Sequence, residues 1–464
     1  MNLYAVNPEY FAQQDLAIPE SGDNLPDILN QVRSGLEWLL KMQRDDGAVF
    51  HKVDSEPSRV YGYSPDEDPH QRKAGDPENL STIDAAGFAA VTACASRVFA
   101  PFDPVFSETC KTAALKSYNW VKSNPGIGQQ DISYPDPVTW QEELWAKTEI
   151  FMLTGDQKVL SSIYEELVNR NVSEPGWSAP QLLGLISLYN YPGLMSIIKN
   201  RLEQKIAGYA HELKTQVDLS GYGSAADISG WQEGSNAVMA NRGAVFIYAH
   251  MITGDDTWLR YASQQLDYLF GRNSLDYSFV TGFGTRKCEQ PYHWITKSYG
   301  IVPPGLLVQG AVNPGLVEKS AADDITMGML ESGFPYAKTY IDSVDAWTTN
   351  EVDVYTVSSL AFLTGYLSLY NREVTSSPVV GLPGDDPPAL YYYDGNLYCN
   401  SCSRPVQVYL YNVNGQLIYR NQKTYPVKGR PLIDVRRFLK SNAIILYKTV
   451  DESGRVGSGK ILVH

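Results

Sequence analysis

Three carboxylates and an aromatic residue are concentrated between Tyr340 and Val352. Two of the carboxylates are Asp342 and Asp345, and the third, Glu351, follows a Thr-Thr-Asn sequence typical of a turn and precedes an apolar run typical of a helix. A carboxyl group at such a helix mouth, close to aromatic surface, can acquire a raised pKa and donate a proton. The pattern therefore predicts Glu351 as a general acid. The alternative is that Asn350 or a neighbour caps the helix and Glu351 complements its dipole.

Aromatic residues are a second candidate for ligand contact. They make up 12% of the chain, with 31 Tyr and 9 Trp. Such a composition suits a protein that stacks sugar rings, and it equally suits a large helical core. The candidate stacking platforms are Trp140, Trp177, Trp231 and Trp294.

Charge and hydropathy exclude several partner classes. The net charge of −14 argues against nucleic acid and anionic membrane surfaces. The sequence has no apolar run of about eighteen residues, so no membrane span is predicted. Residues 1–8 lack the basic-then-apolar pattern of a signal peptide. Nothing in the composition predicts an oligomeric state.

The five cysteines predict neither a disulfide scaffold nor a metal site. Cys94 and Cys110 lie in apolar helical patterns and are predicted to be buried thiols, and Cys288 stands apart from them. Cys399 and Cys402 form a lone pair without the further ligands that zinc requires. A local disulfide or two free thiols is expected there, and no cofactor is predicted.

Hydrophobic periodicity predicts a mostly helical chain from its beginning to about residue 370. The first helix has apolar residues at helical spacing from Leu25 to Leu40, with Asp23 or Asn24 as its cap. Residues 48–80 are predicted to be a loop. Further helices are predicted at 82–100, 105–123, 139–153, 156–170, 178–190, 193–214, 235–252, 256–271 and 351–370.

A short repeat punctuates these helices. Phe-Met-Leu-Thr-Gly-Asp at 151–156 and His-Met-Ile-Thr-Gly-Asp at 250–255 are near copies. In each copy, Gly can end one helix in the left-handed conformation and Asp can cap the next. Repeated helix–turn–helix units without intervening strands indicate stacked hairpins, which would most simply close into an α/α toroid with its ligand loops at one end.

Two later regions break the helical rhythm. Residues 273–350 are rich in Gly and Pro and are predicted to be a long functional loop region. Residues 371–388 have the composition of a linker. From residue 389 to residue 464 the period changes to alternation, which predicts a separate small β domain. The first domain is therefore assigned to residues 1–370.

Motifs in order along residues 11–370 resemble those of glycoside hydrolase family 9, the cellulase family. The early helix signature and the final Thr-Asn-Glu-Val, where this family keeps its general acid, are the two ends of the series. The matching stretches are 18–29, 36–43, 51–53, 88–91, 144–146, 234–236, 266–273, 278–284, 304–308 and 349–352.

The resemblance implies an all-α (α/α)6 toroid and hydrolysis of β-1,4-glycosidic bonds in glucan or a related glycan with inversion. In that mechanism one carboxylic acid protonates the leaving oxygen and a second carboxylate deprotonates water. Glu351 takes the acid's place, and Asp342 and Asp345 match carboxylates that order the acid's loop. The family's base belongs to an Asp-Ala-Gly-Asp motif that precedes the first matched stretch. We therefore expect a toroid that is incomplete at its N-terminus, without the base.

Departures from the family's pattern concern the substrate. His293 matches a sugar-gripping histidine, whereas Trp294 stands where an Arg is usual. Trp231 and Glu233 replace a pattern in which an aromatic directly precedes the Gly. Together with His293, Trp294 and Trp231, Asn350 and Asp342 are the expected substrate-binding residues. Glu233 suggests an amino sugar, as in the family's exo-glucosaminidases. Calcium occurs in the family, but the resemblance assigns no ligands here.

The tail from residue 389 resembles the C-terminal sorting domains of bacterial type IX secretion, on the evidence of residues 412–417 and 459–463. That likeness implies a secreted or cell-surface protein. A carbohydrate-binding or purely structural β module is the alternative. For the whole chain, the expected partner is a β-linked oligosaccharide or polysaccharide, and the rival to hydrolysis is a non-catalytic glycan-binding relative.

Overall fold

The computed structural model describes residues 1–55, 72–75, 79–130, 135–226, 228–317, 322–376, 390–393, 395–399, 405–411, 417–421, 424, 430–437, 443–452 and 456–463. By contact, the chain divides into two compact units, Met1–Leu369 and Tyr370–His464.

Helices dominate the first unit. Within the described residues, no helix combines the length and apolar character needed to cross a membrane. The helices are α1 Asn2–Val6, α2 Pro8–Ala12, α3 Asp27–Leu40, α4 Thr82–Phe99, α5 Pro104–Ser123, α6 Trp140–Thr154, α7 Gln157–Asn169, α8 Gln181–Tyr189, α9 Ser196–Leu219, α10 Ser235–Thr253, α11 Thr257–Leu269, α12 Trp294–Tyr299, α13 Asp324–Glu331, α14 Trp347–Asn350 and α15 Val354–Ser376.

These helices are of two kinds. The helices α3, α7 and α11 bury a single stripe each, which is typical of a helix with one face in solvent. By contrast, α10 is buried at every residue from Ser235 to His250, and α4 is rich in fully buried alanines. Small side chains on α4 and α10 let neighbouring helices approach closely, so these two helices form the interior of the unit.

Contacts pass from hairpin to hairpin. The helix α4 packs on α5 and α6, α6 on α7 and α8, α9 on α7, α8 and α10, and α10 on α11. The helix α15 joins the series through ring contact between Tyr248 and Phe362, whose centroids are 5.5 Å apart. At its other side, Leu369 packs against a cluster that contains Leu29 and Phe99.

The predicted turn chemistry is confirmed in full at the first copy and in part at the second. Gly155 ends α6 in the left-handed conformation, with φ of 71°, and the Asp156 carboxylate accepts the backbone N–H of Lys158 at 2.9 Å. At the second copy Gly254 ends α10 with φ of 68°, as predicted. The N-cap of α11 is Asp256, one residue later than predicted and without a side-chain cap, while Asp255 accepts the N–H of Thr257 at 2.8 Å.

The structure corrects several predicted boundaries. The helix α3 begins at Asp27 with Pro26 at the N-cap position, so neither Asp23 nor Asn24 caps it. The helix α9 continues to Leu219 instead of ending at residue 214, because its apolar stripe extends to the buried Val217. The predicted loop 48–80 contains an antiparallel pair, β1 Val53–Ser55 with β2 Arg72–Ala74, and residues 56–71 and 76–78 lie outside the described residues.

The second unit is built of short strands. Its sheets have the orders β3-β4-β7 and β6-β5-β8-β9, with antiparallel pairing of neighbours. Alternate residues of β5, Val406, Val408 and Leu410, are fully buried in its core. The strands are β3 Leu390–Tyr393, β4 Asn396–Cys399, β5 Val406–Tyr411, β6 Leu417–Arg420, β7 Ile433–Asp434, β8 Ala443–Asp451 and β9 Val456–Val463.

Two predictions concern segments of which the structure describes only a part. The helix α15 continues to Ser376, into the predicted linker, and residues 377–388 lie outside the described part. Cys399 is disulfide-bonded, and Cys402 is outside the described part. Cys94 and Cys110 are free and buried, as predicted.

Candidate active site

Connection lengths alternate along the first unit. Short turns follow α4, α6, α8 and α10, whereas long connections lead into them and into α15. Because the two helices of a hairpin run antiparallel, the long connections gather at the end where α4, α6, α8, α10 and α15 begin. Loops on a rigid scaffold carry function, so this end is where a site is expected. The long connections are residues 41–81, 124–139, 170–180, 220–234 and 270–353.

Glu351 follows the last residue of α14 and has an extended backbone, with φ of −66° and ψ of 151°. We call residues 349–352 the Glu351 segment. It pairs in parallel with Tyr292: the N–H of Tyr292 donates to the Asn350 carbonyl at 2.8 Å, and the N–H of Val352 donates to the Tyr292 carbonyl at 3.3 Å. The side chain of Glu351 is partly exposed. One edge of its backbone is thus fixed by the loop that carries Tyr292.

A second loop fixes the other edge. The N–H of Gln309 donates to the Glu351 carbonyl at 3.0 Å, and that of Gly310 donates to the Thr349 carbonyl at 2.8 Å. Gly310 has φ of 98°, and a Cβ there would lie 2.5 Å from the side chain of Asn236. Only glycine fits this position, since both the conformation and the space exclude a side chain. The Glu351 segment is therefore held against the start of α10.

Asp353, and not Asn350, caps α15. Its carboxylate accepts the backbone N–H of Thr356 at 2.6 Å and the Nε2 of Gln309 at 2.9 Å. The helix begins at Val354, three residues later than predicted, which leaves Glu351 outside it. The N-cap of α15 is therefore Asp353 and not Glu351.

Asp342 and Asn350 face inward. Asn350 is fully buried, and its Nδ2 donates to the Gln290 carbonyl at 2.6 Å. The Asp342 carboxylate accepts the backbone N–H groups of Glu289 and Gln290, each at 2.9 Å. Their contact with substrate stays a prediction, and these partners favour the ordering of the acid's loop.

His293 and Trp294 follow Tyr292 directly and therefore stand beside the Glu351 segment. His293 is half-buried, and its buried Nδ1 has no hydrogen-bond partner within the described residues. Burial lowers the pKa of His293 below its ordinary value. The neutral imidazole offers one donor and one acceptor, which suits sugar hydroxyls. Trp294 is half-buried at the first position of α12.

An aromatic rim lies at the same place and was not among the predicted site residues. Trp347 is 37% exposed, and its ring centroid lies 6.1 Å from that of Tyr292. The Nζ of Lys297 lies 5.1 Å from the Tyr292 ring centroid and 3.1 Å from the Asp345 carboxylate. The short spacing from Trp347 to Glu351 is the sequence signal that could have identified this ring. Tyr292 has no comparable signal, because its position depends on a distant loop.

Trp231 is more deeply placed than a stacking platform would be. It is only 7% exposed, and its ring packs on Tyr268 and Tyr336 at centroid distances of 6.2 and 5.4 Å. Together these three rings line part of a cavity of about 240 Å³. Trp231 as a substrate contact stays a prediction. The other two candidate platforms differ, since Arg170 covers the Trp140 ring at 4.5 Å and Trp177 is 57% exposed.

Glu233 stands at the start of α10, close to the Glu351 segment. The next residue, Gly234, has φ of 81°, and a Cβ added to it would lie 3.0 Å from the side chain of Gln309. The backbone N–H of Gln309 in turn donates to the carbonyl of Glu351. Desolvation raises the pKa of Glu233, and the charge of Asp323 adds to the effect. An exposed carboxyl group is thus present where cationic substrate groups could reach it.

A second group of carboxylates at the same end was missed from the sequence: Asp84, Asp136 and Glu142, called the acidic cluster below. Asp84 accepts His51 Nδ1 at 2.9 Å and Gln129 Nε2 at 2.9 Å. Glu142 is 4% exposed, and its Oε2 has no hydrogen-bond partner within the described residues. Burial, with the nearby charges of Asp136 and Asp84, raises the pKa of Glu142 to about 8.

No group of three or more His, Cys, Asp or Glu is arranged to hold a metal ion in the described ranges. Calcium binding therefore stays a prediction without assigned ligands.

The helical hairpins thus present a carboxyl group, an imidazole and aromatic rings together at their loop end. The chain belongs to Glycosyl hydrolase family 9, whose sequence profile matches residues 4–364. The match covers the first unit almost completely and ends within α15, just after Glu351.

Individual relatives agree. Endoglucanase C of Cellulomonas fimi is 27% identical over 402 residues, covering 82% of this chain and 36% of the relative. A xyloglucan-specific endo-beta-1,4-glucanase of Bacteroides ovatus is 29% identical over 404 residues, covering 79% and 64%. A metagenome-derived family 9 endoglucanase of known crystal structure is 29% identical, with a TM-score of 0.71 and coverage of 79% and 67%. The chain thus spans less than two thirds of the length of these two curated relatives.

Proposed function

We propose that this protein hydrolyses β-1,4-glycosidic bonds in glucan or a related polysaccharide, with inversion and with Glu351 as the general acid. The placement of Glu351 carries the proposal: its segment is held at both edges, it lies outside the helix that follows, and its side chain reaches solvent. Family membership and the activities printed in the names of the two endoglucanases support the substrate class.

The chemistry requires two carboxyl groups. Glu351 would give its proton to the glycosidic oxygen as the bond to the anomeric carbon breaks. A carboxylate about 6.5–9.5 Å away would accept a proton from the water that attacks the opposite face of the sugar. The 464 residues contain no Asp-Ala-Gly-Asp motif, so the proposal assigns the base to no particular residue.

The proposed scaffold is an (α/α)6 toroid. The contacts that run from α4 to α10, together with those that α15 makes with α10 and with the cluster containing Phe99, support a closed arrangement of hairpins. For the second unit we retain a sorting or accessory β domain, and with it secretion or display at a bacterial surface. Fusion of residues 389–464 to a reporter and measurement of its export would test that assignment.

Two alternatives have specific support. A non-catalytic glycan-binding protein is favoured by the missing motif. An exo-acting glucosaminidase-like enzyme is favoured by Glu233, because a carboxylate near the acid could bind the ammonium group of an amino sugar. Comparing hydrolysis of cello-oligosaccharides with that of glucosamine oligomers separates the second from the main proposal.

Glu351→Gln tests the main proposal. The amide keeps the size of the side chain but cannot donate the proton, so we expect hydrolysis of cello-oligosaccharides to fall by about 10²–10⁴-fold. Binding, measured by calorimetry, should persist. The matched control is Glu289→Gln, since the Glu289 side chain is 71% exposed in the same loop region.

Full activity of Glu351→Gln would refute the assignment. Saturable oligosaccharide binding by the unmodified chain, with no product at any enzyme concentration, would favour the glycan-binding alternative.

A further inference from the structure

Every acceptor site of the Asp342 carboxylate is occupied by a hydrogen-bond donor. Its Oδ1 accepts the N–H of Gln290 at 2.9 Å and the thiol of Cys288 at 3.2 Å. Its Oδ2 accepts the N–H of Glu289 and the hydroxyl of Tyr277, each at 2.9 Å. A carboxylate has about four acceptor sites, so these donors occupy the group completely.

Asn350 links this carboxylate to the acid. Its Oδ1 accepts the hydroxyl of Tyr340 at 2.7 Å and lies 3.4 Å from the Cys288 sulfur. Its Nδ2 donates to the carbonyl of Ser343 at 3.0 Å. The side chain has no exposed surface, and its own backbone carbonyl receives the N–H of Tyr292. The rotamer of Asn350 therefore fixes the backbone immediately before Glu351.

Cys288 touches both of these polar side chains. It is 1% exposed, and burial raises the pKa of its thiol well above the ordinary value, so the sulfur keeps its proton. Its single S–H can donate to either acceptor, and the shorter distance is the one to Asp342. A buried thiol held between a carboxylate and an amide serves as a hydrogen-bonding group as well as a space-filling one.

We propose that Cys288 and Asp342 are positioning residues for the general acid: through Asn350 they hold the Glu351 segment at the distance and angle that proton transfer requires. This inference rests on the proposed function for its catalytic part. Its structural part stands on the contacts alone. The alternative is that the network only stabilises the loops, in which case its loss would lower the stability without affecting Glu351 in particular.

Amide hydrogen exchange tests the structural part without any need for turnover. In Asp342→Asn the new amide group faces N–H donors, so we expect exchange at Tyr292, Gln309 and Val352 to quicken at least 10-fold. Amides in the middle of α10 should change less than 2-fold. The control is Asp276→Asn, because Asp276 is 86% exposed and asparagine tolerates its φ of 51°.

The cysteine gives a second route if Asp342→Asn does not fold. Cys288→Ala removes the donor, whereas Cys288→Ser retains an O–H group. We expect faster exchange at Tyr292 and Val352 in the alanine variant and recovery of most of the protection in the serine variant. Unchanged protection in both Cys288→Ala and Asp342→Asn would overturn the inference.

Substrates with different leaving groups test the catalytic part. A sugar leaving group must be protonated as it departs, so a mispositioned acid slows its loss. Dinitrophenolate departs without protonation, so its loss should not depend on the position of the acid. For Cys288→Ala we expect kcat to fall about 10-fold with a cello-oligosaccharide and less than 2-fold with the dinitrophenyl glycoside, with KM nearly constant. Equal losses on both substrates would indicate general damage and refute positioning.

The two proposals fail separately. Full activity of Glu351→Gln refutes the acid assignment, and hydrogen exchange then decides whether the network holds the segment. An inactive Glu351→Gln together with a normal Cys288→Ala and Asp342→Asn refutes positioning and leaves the acid in place.

Discussion

The Glu351 segment and the acidic cluster both place carboxyl groups at the loop end of the helical unit, but they treat the charge in opposite ways. Beside Glu351, the half-buried carboxylate of Asp342 receives four hydrogen bonds of 3.2 Å or less. In the acidic cluster, Glu142 is buried with an unpartnered oxygen among the described residues and lies near two further carboxylates. Hydrogen-bond donors stabilise a carboxylate in its charged form and fix its geometry, whereas burial without donors favours the protonated carboxylic acid.

The difference shows that a position in the first turn of a helix does not by itself lower the pKa of an acidic side chain. Glu142 stands in the first turn of α6, where an acidic residue ordinarily complements the dipole. Here desolvation outweighs that benefit and raises the pKa of Glu142. The first half of the unit therefore holds a buried carboxyl group that stays protonated at neutral pH, and the later half uses a hydrogen-bonded carboxylate to order a loop.

The largest expected effect would sharpen this contrast. Burial raises the pKa of Glu142 to about 8 in the folded protein, whereas in the unfolded chain the pKa is near its ordinary value of 4.5. The contribution of Glu142 to the free energy of unfolding should therefore be largest below pH 4.5 and be lost as the pH rises to 8, by about 1.4 kcal/mol per pH unit, or about 5 kcal/mol in all. Glu142→Gln should abolish this slope, as measured by urea unfolding at pH 5 and pH 8.

Glu143→Gln is the matched control for that experiment. Its side chain is less buried and accepts the Thr139 hydroxyl at 2.7 Å, so the slope should remain. An identical pH slope in Glu142→Gln and in the unmodified protein would remove the contrast between the two regions.

The next effect tests the Glu351 segment. Gly310→Ala places a methyl group 2.5–2.6 Å from Asn236 and Ser235 in a left-handed conformation. Backbone strain and overpacking together should cost about 4 kcal/mol in thermal unfolding. Gly305→Ala, also left-handed with φ of 87° but with no atom within 4 Å, should cost only the strain, about 1–2 kcal/mol. Equal losses would show that contact with Asn236 and Ser235 is unimportant.

A smaller effect is expected for Asp84, the one member of the acidic cluster with several donors. Asp84→Asn weakens the hydrogen bonds from His51, Ser81 and Gln129, and should cost about 2 kcal/mol in urea unfolding. Asp267→Asn is the exposed control and should change stability by less than about 0.5 kcal/mol. A loss as small as the control's would place Asp84 with the unsatisfied carboxyls.

The smallest effect concerns Tyr355, on the first turn of α15. Its hydroxyl accepts Asn241 Nδ2 at 2.8 Å, which ties α15 to α10. Tyr355→Phe should lower the free energy of unfolding by about 1 kcal/mol. Tyr222→Phe, at a side chain 46% exposed, should have a negligible effect and serves as the control. No difference between the two variants would argue against this tie.

Much of the helical unit could be predicted because its signals are local. The Gly155 and Asp156 turn and the periodicity of α4, α5 and α7 are short-range patterns, and the structure reproduces them. The residue at the N-cap position of a helix was harder to predict, because it depends on the path of the chain that enters the helix. Asp23 appeared to cap α3, yet Pro26 takes that position, and Asp23 instead accepts the N–H of Leu25.

The site was predictable only where it is contiguous. Glu351 could be found from its motif, because the turn before it and the helix after it are adjacent in the sequence. Cys288 and Gln309 could not, since their roles arise when three separate loops meet. Burial of Glu142 was equally hidden, because Glu142 and Glu143 look alike in sequence while only one of them loses its solvent.

The alternation of short turns and long connections determines where the chain can tolerate insertions. Gly155 and Gly254 close one pole of the helical unit in a few residues, and lengthening those turns would pull on two packed helices at once. The opposite pole carries the candidate active site on segments whose length is not dictated by neighbouring helices. Laboratory evolution toward new glycans should therefore find its tolerated insertions almost wholly at that second pole.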